Sequence, residues 1–119
     1  MSSINELITA VQSESQPHEL RFADVLASIK SHYQYTPTAF NNGPLRNSAG
    51  ENEGSCIIFA FALLHDLTEE QALRCFAEHY QGVLDAPEGE SHQNIRQFIR
   101  TGLPGISFAR FPLASITEG

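Results

Sequence analysis

The sequence predicts an all-α fold: a single compact domain of about five helices around a central apolar helix, with room for one short extended segment near residues 105–109. Apolar residues recur at intervals of three and four along most of the chain, the spacing of one helix face. Two segments begin with a Ser/Thr-x-x-Glu/Gln capping box. A length of 119 residues fits one domain. We assign residues 1–119 to it, with a core over about 3–109 and a loose tail over 110–119.

The first two predicted helices lie in the first third of the chain. The first begins at a capping box and ends before Pro17. Its box and apolar face consist of Ser3, Glu6, Ile4, Leu7, Ile8 and Val11. The second has apolar positions at helical spacing over residues 22–33. It stops by Tyr35, because the residue before Pro37 is disfavoured in the helical region.

Residues 36–53 form the longest stretch without apolar periodicity, and we predict a loop there. Turn signals lie at 42–44 and 49–50, and Phe40 and Leu45 are the expected anchors. A loop of this length within a small domain is uncommon and often functional. A packed surface loop without a function of its own is the alternative.

Residues 54–66 are predicted to form the central helix. The stretch 56–64 is apolar at all nine positions, and a helix that is apolar all round is surrounded by other elements. Periodicity alone leaves a buried strand open. The neighbouring helical signals and the two alanines favour a helix.

Two further helices are predicted in the second half of the chain. The fourth begins at the capping box of Thr68 and Gln71 and ends at Gly82, a typical residue just after a helix. The fifth begins at Ser91 and closes at Gly102. Their predicted inward residues are Ala72, Leu73, Phe76, Ala77 and Tyr80, then Ile95, Phe98 and Ile99. Alternation over 106–108 predicts the short extended segment.

Charge excludes some classes of partner. The 14 acidic and 7 basic residues give a net charge of −7, which argues against nucleic acid or an anionic membrane as the main partner. The longest apolar run is nine residues, whereas a membrane-spanning helix needs about 20. Residues 1–10 contain no Lys or Arg, so they lack the basic start of a secretory signal peptide.

The charges are also unevenly distributed along the chain. Residues 51–90 hold nine carboxylates and one base, whereas residues 91–110 hold three arginines and no acid. The simpler interpretation is that the fifth helix docks beside the acidic part through weak surface pairs. The functional alternative is that Arg96 and Arg100, one turn apart, bind an anion.

The two cysteines allow one catalytic hypothesis. Cys56 lies near the start of the central helix, where the helix dipole lowers a thiol pKa. With His92 as a base it would serve a cysteine-dependent hydrolase or transferase. No protease signature surrounds it, and a small core thiol is the favoured interpretation. We expect Cys56 and Cys75 to be two buried thiols, and a single disulfide is the alternative.

No metal site and no cofactor is predicted. The five histidines show neither H-x-x-x-H nor H-E-x-x-H spacing. The segment 47–55 precedes a helix and has two glycines, but it lacks the Gly-Lys-Ser/Thr ending of a phosphate-binding loop. Free amides at that helix start can still take a carboxylate or a partner's carbonyl. A small anion or metabolite binder is therefore a further hypothesis.

Several short motifs, in the same order along the chain, resemble those of the HopJ family of type III effector proteins of plant-associated bacteria. The resemblance covers roughly residues 22–108. The matching motifs are His32-Tyr33, the stretch 36–40, Asn47, the stretch 49–56, Phe59-Ala60-Phe61, Cys75-Phe76, His79-Tyr80, the stretch 92–98 and Thr101-Gly102. The resemblance implies a small, largely helical protein without an assigned enzymatic activity or cofactor. It also implies a virulence role, with export from the bacterial cytoplasm into a host cell by type III secretion; a role inside the bacterial cytoplasm is the alternative.

We therefore expect an interaction protein that binds a host or bacterial protein through the polar loop over residues 36–55. The candidate surface comprises Asn47, Glu51, Asn52, Ser55, Asn94 and Arg96. Whether the protein has an enzymatic activity is left open, and the sequence favours none. Its oligomeric state is also left open.

Overall fold

A computed structural model describes residues 21–115 and gives an α+β fold, so the all-α prediction is wrong. Five α-helices lie in this part of the chain: α1 (Phe22–His32), α2 (Glu53–Leu64), α3 (Glu69–Arg74), α4 (Glu78–Asp85) and α5 (Gln93–Thr101). Five short strands join them: β1 (Tyr33–Tyr35), β2 (Phe40–Asn42), β3 (Leu45–Asn47), β4 (Ile106–Phe108) and β5 (Leu113–Ser115). The first predicted helix, over residues 3–16, lies outside the described residues.

The strands form two small antiparallel sheets. One has the order β3-β2-β4, with Phe40 opposite both Asn47 and Phe108. The other pairs β1 with β5. Strands β2 and β3 are joined by a two-residue turn in which Gly43 has φ 59°. Glycine is favoured there because a residue with a Cβ is strained at this positive φ, and a Cβ on Gly43 would also displace Nε2 of Gln97, 2.7 Å away.

Helix α2 supplies the centre of the core, as predicted. Residues 56–62 are all buried, and the ring of Phe59 packs against those of Phe40, Phe76 and Phe98 at 4.9–6.1 Å. The prediction that the helix is surrounded along its whole length is wrong for its last turn. Leu63 and Leu64 there are 37% and 43% exposed.

The predicted fourth helix is two helices, α3 and α4. The capping box is confirmed: Thr68 accepts a hydrogen bond from the amide of Gln71, whose side chain accepts one from the amide of Thr68. The helix then breaks at Ala77, which has φ 54° and ψ −122°. This break lets Phe76 enter the core between Phe22 and Phe59. Gly82, expected just past the helix end, lies inside α4.

The end of the chain is more ordered than the sequence predicts. Helix α5 ends before Gly102 and β4 follows, both as predicted. Ile99, however, faces outward and is 49% exposed. Residues 113–115 pair with β1, and Leu113 is buried, so the expected loose tail does not begin at residue 110. Within residues 21–115, no helix is long and apolar enough to cross a membrane.

Candidate functional site

A buried network of asparagines ties the β2–β3 hairpin to the starts of two helices. Asn42, at the end of β2, donates to the backbone carbonyl of Asn94 at 2.9 Å and to its Oδ1 at 3.0 Å. Asn47, at the end of β3, exchanges hydrogen bonds with Asn94 at 3.0 and 3.3 Å. Asn52, just before α2, donates to Oδ1 of Asn47 at 2.7 Å. The network therefore fixes the positions of α2 and α5 relative to the hairpin.

The network explains why the 36–55 segment is not a free loop. Asn42, Asn47 and Asn94 are at most 5% exposed, and buried amides are costly unless they are hydrogen-bonded. Asn47, one of the predicted contact residues, supports the surface from behind. Asn94, also predicted, belongs to the network and lines a small cavity at the helix starts.

Four of the five described helices begin around one small cavity of about 190 Å³. We call it the helix-start pocket. It is lined by Phe22 from α1, Asn52, Gly54 and Ser55 from the start of α2, Phe76 and His79 from the start of α4, and His92, Gln93, Asn94 and Ile95 from the start of α5. None of these four helices has a capping hydrogen bond from the side chain of its N-cap residue.

This arrangement favours a hydrogen-bond acceptor or an anion in the pocket. The first amides of an α-helix have no acceptor within their own helix, and the helix dipole gives this end a partial positive charge. Three of the N-cap residues, Asn52, Ala77 and His92, have φ of 54–55°. A carboxylate of the protein reduces this preference for an anion, because Glu78 accepts a hydrogen bond from the amide of Phe22 at 2.8 Å.

Two histidines form one wall of the pocket. The ring of His79 lies 4.6 Å from that of Phe22 and 4.8 Å from that of His92, measured between centroids. Burial lowers the pKa of His92, and the nearby His79 and Arg96 lower it further. The neutral form of His92 is therefore favoured when the pocket is empty, and an anion bound there would favour the charged form.

The structure brings together only part of the predicted surface. Asn52, Ser55 and Asn94 line the pocket, and Asn47 supports it. Glu51 is exposed and accepts a hydrogen bond from the amide of Ser48 at 2.8 Å, outside the pocket. Arg96 lies on the other side of α5, in a groove between α4 and α5.

Sequence reasoning missed Asn42, His79 and Phe22. His79 belongs to one of the motifs that match the HopJ family, and this match could have marked it as a candidate site residue. For Asn42 and Phe22 no local pattern existed, because their partners are more than 50 residues away along the chain.

The geometry opposes the hypothesis that Cys56 is a nucleophile. Cys56 is 1% exposed, and burial raises the pKa of its thiol to about 11, so the reactive thiolate is scarce at neutral pH. His92 lines the helix-start pocket, whereas the residues of α2 that line it are Gly54 and Ser55, and not Cys56. Both cysteines are free and buried, as expected. Among the described residues, no cluster of His, Cys, Asp or Glu could hold a metal ion.

The fold and the site define a small α+β domain with a polar pocket at its helix starts. The HopJ type III effector protein family matches residues 4–113, nearly the whole chain, and the chain belongs to this family. The crystal structure of the unknown function protein VPA0580 is similar, with a TM-score of 0.89 and 42% identity, over 96% of this chain and 94% of that one. No curated protein sequence matches the chain significantly.

Proposed function

We propose that this HopJ family protein acts as an effector-type interaction protein and binds a protein partner through the polar face around the helix-start pocket. The face consists of the exposed turn over residues 48–52 and the first residues of α2 and α5. The pocket receives an acceptor group of the partner, a carboxylate or a backbone carbonyl. The observation that carries the proposal is the meeting at one cavity of four helix starts, none of which is capped by the side chain of its own N-cap residue.

Two properties of the face support this role. The asparagine network holds the rim in one arrangement, so little conformational entropy is lost when a partner binds. The turn before α2 is exposed, and Ser55 and His79 below it are half-buried, which gives a concave polar surface. A cavity of about 190 Å³ is small. It fits one functional group better than a drug-sized ligand.

A matched pair of variants tests the proposal. Ser55→Glu places a carboxylate at the helix-start pocket, where it competes with an incoming acceptor, whereas Ser107→Glu adds the same charge at the exposed middle residue of β4. Proteins captured by the wild-type chain from extracts of the producing bacterium and of a host would be quantified by mass spectrometry. We expect a protein that the wild type and Ser107→Glu retain and Ser55→Glu loses. Equal capture by all three chains would contradict the proposed face.

A small anion is the second candidate occupant, favoured by the same four helix starts. Phosphate, sulfate, citrate and succinate would be tested one by one for an increase in the thermal unfolding midpoint. If one of them is the natural ligand, it stabilises the wild type and Ser107→Glu but not Ser55→Glu. If none does so at millimolar concentration, the small-anion candidate is rejected for these four ligands.

We also propose that the protein leaves the bacterial cytoplasm by type III secretion, as the family description implies. A fusion of the full chain to a calmodulin-dependent adenylate cyclase reports entry into host cells as cyclic AMP. We expect a signal in a strain with an intact secretion apparatus and none in a strain without it. Equal signals, or no signal in either strain despite equal expression, would contradict export.

A further inference from the structure

A second concave surface lies on the outer side of α5, away from the asparagine network. It is a groove of about 600 Å³ between α4 and α5, closed at one end by the turn over residues 86–89. Val83 is buried at its base, and Leu84 and Ile99 are 51% and 49% exposed on its two sides. We call it the α4–α5 groove. Half-exposed aliphatic side chains on two facing helices offer apolar area to a ligand.

Arg96 shapes this groove and keeps its charge there. Its guanidinium donates to the backbone carbonyls of Pro87 and Ser91, which closes the turn against α5. Carbonyl acceptors are neutral, so the positive charge of Arg96 is not cancelled by these bonds. This fixed geometry removes much of the entropy that a flexible arginine loses on binding.

Arg100 adds a second positive charge one turn further along α5. It is exposed, and the ion pair found in the described part of the chain, between Arg74 and Glu70, does not involve it. Among the described residues that line the groove, Glu88 is the one that is acidic. The groove is therefore an apolar and cationic patch on a chain whose net charge is −7.

We propose that the α4–α5 groove binds an amphipathic helical segment of a partner protein that carries leucine-like side chains beside Asp or Glu. The leucine-like side chains would pack between Leu84 and Ile99, and the carboxylates would face Arg96 and Arg100. Charge complementarity selects this occupant, because a basic segment would be repelled by two arginines in an acid-poor surface. Recognition of a helix in a groove uses apolar anchors at intervals of three and four residues.

This inference goes beyond the proposed function, because different residues carry it. Gln93 lines both cavities, so one partner can reach the helix-start pocket and the groove together. Binding in the groove does not require the pocket to be occupied. The two surfaces can therefore be tested separately with variants that change one of them at a time.

The test uses two fluorescein-labelled peptides and fluorescence anisotropy. Both have 14 residues with leucines at helical spacing; one carries glutamates at its polar positions and the other carries lysines. We expect the glutamate peptide to bind the full chain, and the lysine peptide to bind about tenfold more weakly or not at all. Equal binding of the two peptides would overturn the proposal. Tighter binding of the lysine peptide would also overturn it.

Matched variants locate the binding. Ile99→Asp should weaken binding of the glutamate peptide by about tenfold or more, and Arg100→Gln by about threefold to tenfold with a flatter dependence on salt. Leu64→Asp and Arg46→Gln change an equally exposed leucine and an exposed arginine elsewhere, and should leave binding unchanged. Circular dichroism and the unfolding midpoint verify that each variant is folded. If the control pair weakens binding as much as the groove pair, the groove is not the site.

Two more measurements distinguish this proposal from two alternatives, peptide binding in the helix-start pocket and binding to an anionic membrane. Ser55→Glu should bind the glutamate peptide as the wild type does; a loss equal to that of Ile99→Asp would mean that the peptide occupies the helix-start pocket, and would overturn the groove assignment. Vesicles containing 30% phosphatidylglycerol serve as the membrane probe. Binding to them that Arg100→Gln abolishes, without any binding of the glutamate peptide, would replace a protein partner by an anionic surface.

Discussion

Two kinds of helix start occur in this protein, and they differ in how they are stabilised. Helix α3 begins with a complete capping box, in which Thr68 and Gln71 satisfy each other's amides. Helices α2, α4 and α5 begin at residues with positive φ and without capping side chains, around one pocket. The first start is stable by itself, whereas the others depend on the surrounding structure.

The difference shows where the fold accepts a local cost. A non-glycine residue at positive φ costs about 1–3 kcal/mol when its conformation is sparsely populated. A missing cap costs about 1 kcal/mol. Asn52, Ala77 and His92, the N-cap residues of three helices that start around the cavity, combine both costs, while Thr68 at the start of α3 has neither. The positive φ of Asp66, between α2 and α3, lies outside this group. Concentrated local cost of this kind is what leads from the geometry to the hypothesis of a binding site.

The largest expected change in the free energy of unfolding comes from Phe59, whose ring packs against residues near both α3 and the helix-start pocket. Phe59 is fully buried and contacts Phe76, just after α3, and Phe98 on α5. Phe59→Ala should lower the free energy of unfolding by about 3–5 kcal/mol, because it removes apolar contacts and leaves a cavity. Urea unfolding followed by circular dichroism measures it. An unchanged midpoint would contradict the central position of α2.

The next effect separates the pocket from the rest of the fold. Asn94→Ala removes the Oδ1 that accepts from Asn42 and Asn47 and the Nδ2 that donates to Asn47, so the buried Nδ2 of Asn47 loses its acceptor. Asn42 keeps its bond to the backbone carbonyl of residue 94, and Asn47 keeps the bond from Asn52. We expect a loss of about 1–3 kcal/mol in the free energy of unfolding. Asn41→Ala, on the exposed face of β2, is the control and should change little. Equal losses in the two variants would show that the network does not stabilise the pocket.

The same contrast explains which parts of the fold could be predicted from sequence. Helices α1, α2 and α5 and the start of α3 follow from local patterns: apolar spacing, a capping box, and Gly102 after α5. The break at Ala77 could not be predicted, because no Gly or Pro marks it. Packing of Phe76 against Phe22 and Phe59 stabilises it instead.

The sheets were missed for a related reason. Each strand has three residues, too few to establish an alternating pattern. In β2 and β3, Asn42 and Asn47 occupy buried positions where an apolar residue would have signalled a strand. Their partner Asn94 lies about 50 residues further along the chain. Of the site, Asn52 and Ser55 were predictable from the segment before a helix, whereas the meeting of four helix starts is a property of the tertiary fold.

Removing the complete cap of α3 should destabilise the fold without affecting binding. Thr68→Ala loses the hydrogen bond from the amide of Gln71, at 3.1 Å, and should lower the free energy of unfolding by about 1 kcal/mol. Thr68→Ser keeps the hydroxyl and is the control. Affinity for the glutamate peptide, measured as above, should be unchanged. A lower affinity would mean that the start of α3 also contributes to binding.

At the break between α3 and α4, we expect a substitution that raises the free energy of unfolding. Ala77 has φ 54° and ψ −122°, a conformation that glycine adopts more easily than alanine. Ala77→Gly should therefore raise the free energy of unfolding, by up to about 1 kcal/mol. Ala72→Gly, inside α3, should lower it by about 1 kcal/mol. If both substitutions destabilise to the same degree, the strain assigned to Ala77 is absent.

The smallest expected effect is a pH dependence of stability, to which the pocket contributes through His92 and the end of α2 through His65. Burial lowers the pKa of His92 in the folded state, and the charges of His79 and Arg96 add to this. Burial also lowers the pKa of His65, which is hydrogen-bonded to the hydroxyl of Tyr33 at 2.7 Å. The unfolded chain thus binds more protons than the folded one below about pH 6.5, and stability rises with pH through this window. The stability that the neutral histidines contribute is lost as the pH falls from about 6.5 through their lowered pKa values.

Thermal midpoints measured between pH 5.5 and 7.5 test this sign. The wild type should become more stable as the pH rises, and His92→Gln should flatten the curve. Thr68→Ala, which changes no titratable group, should lower the midpoint by the same amount at every pH. A bound anion should reverse the trend at the pocket, because it favours the charged form of His92 and so binds more tightly at the lower pH. A curve for His92→Gln parallel to that of the wild type would mean that the pocket histidine is not coupled to folding.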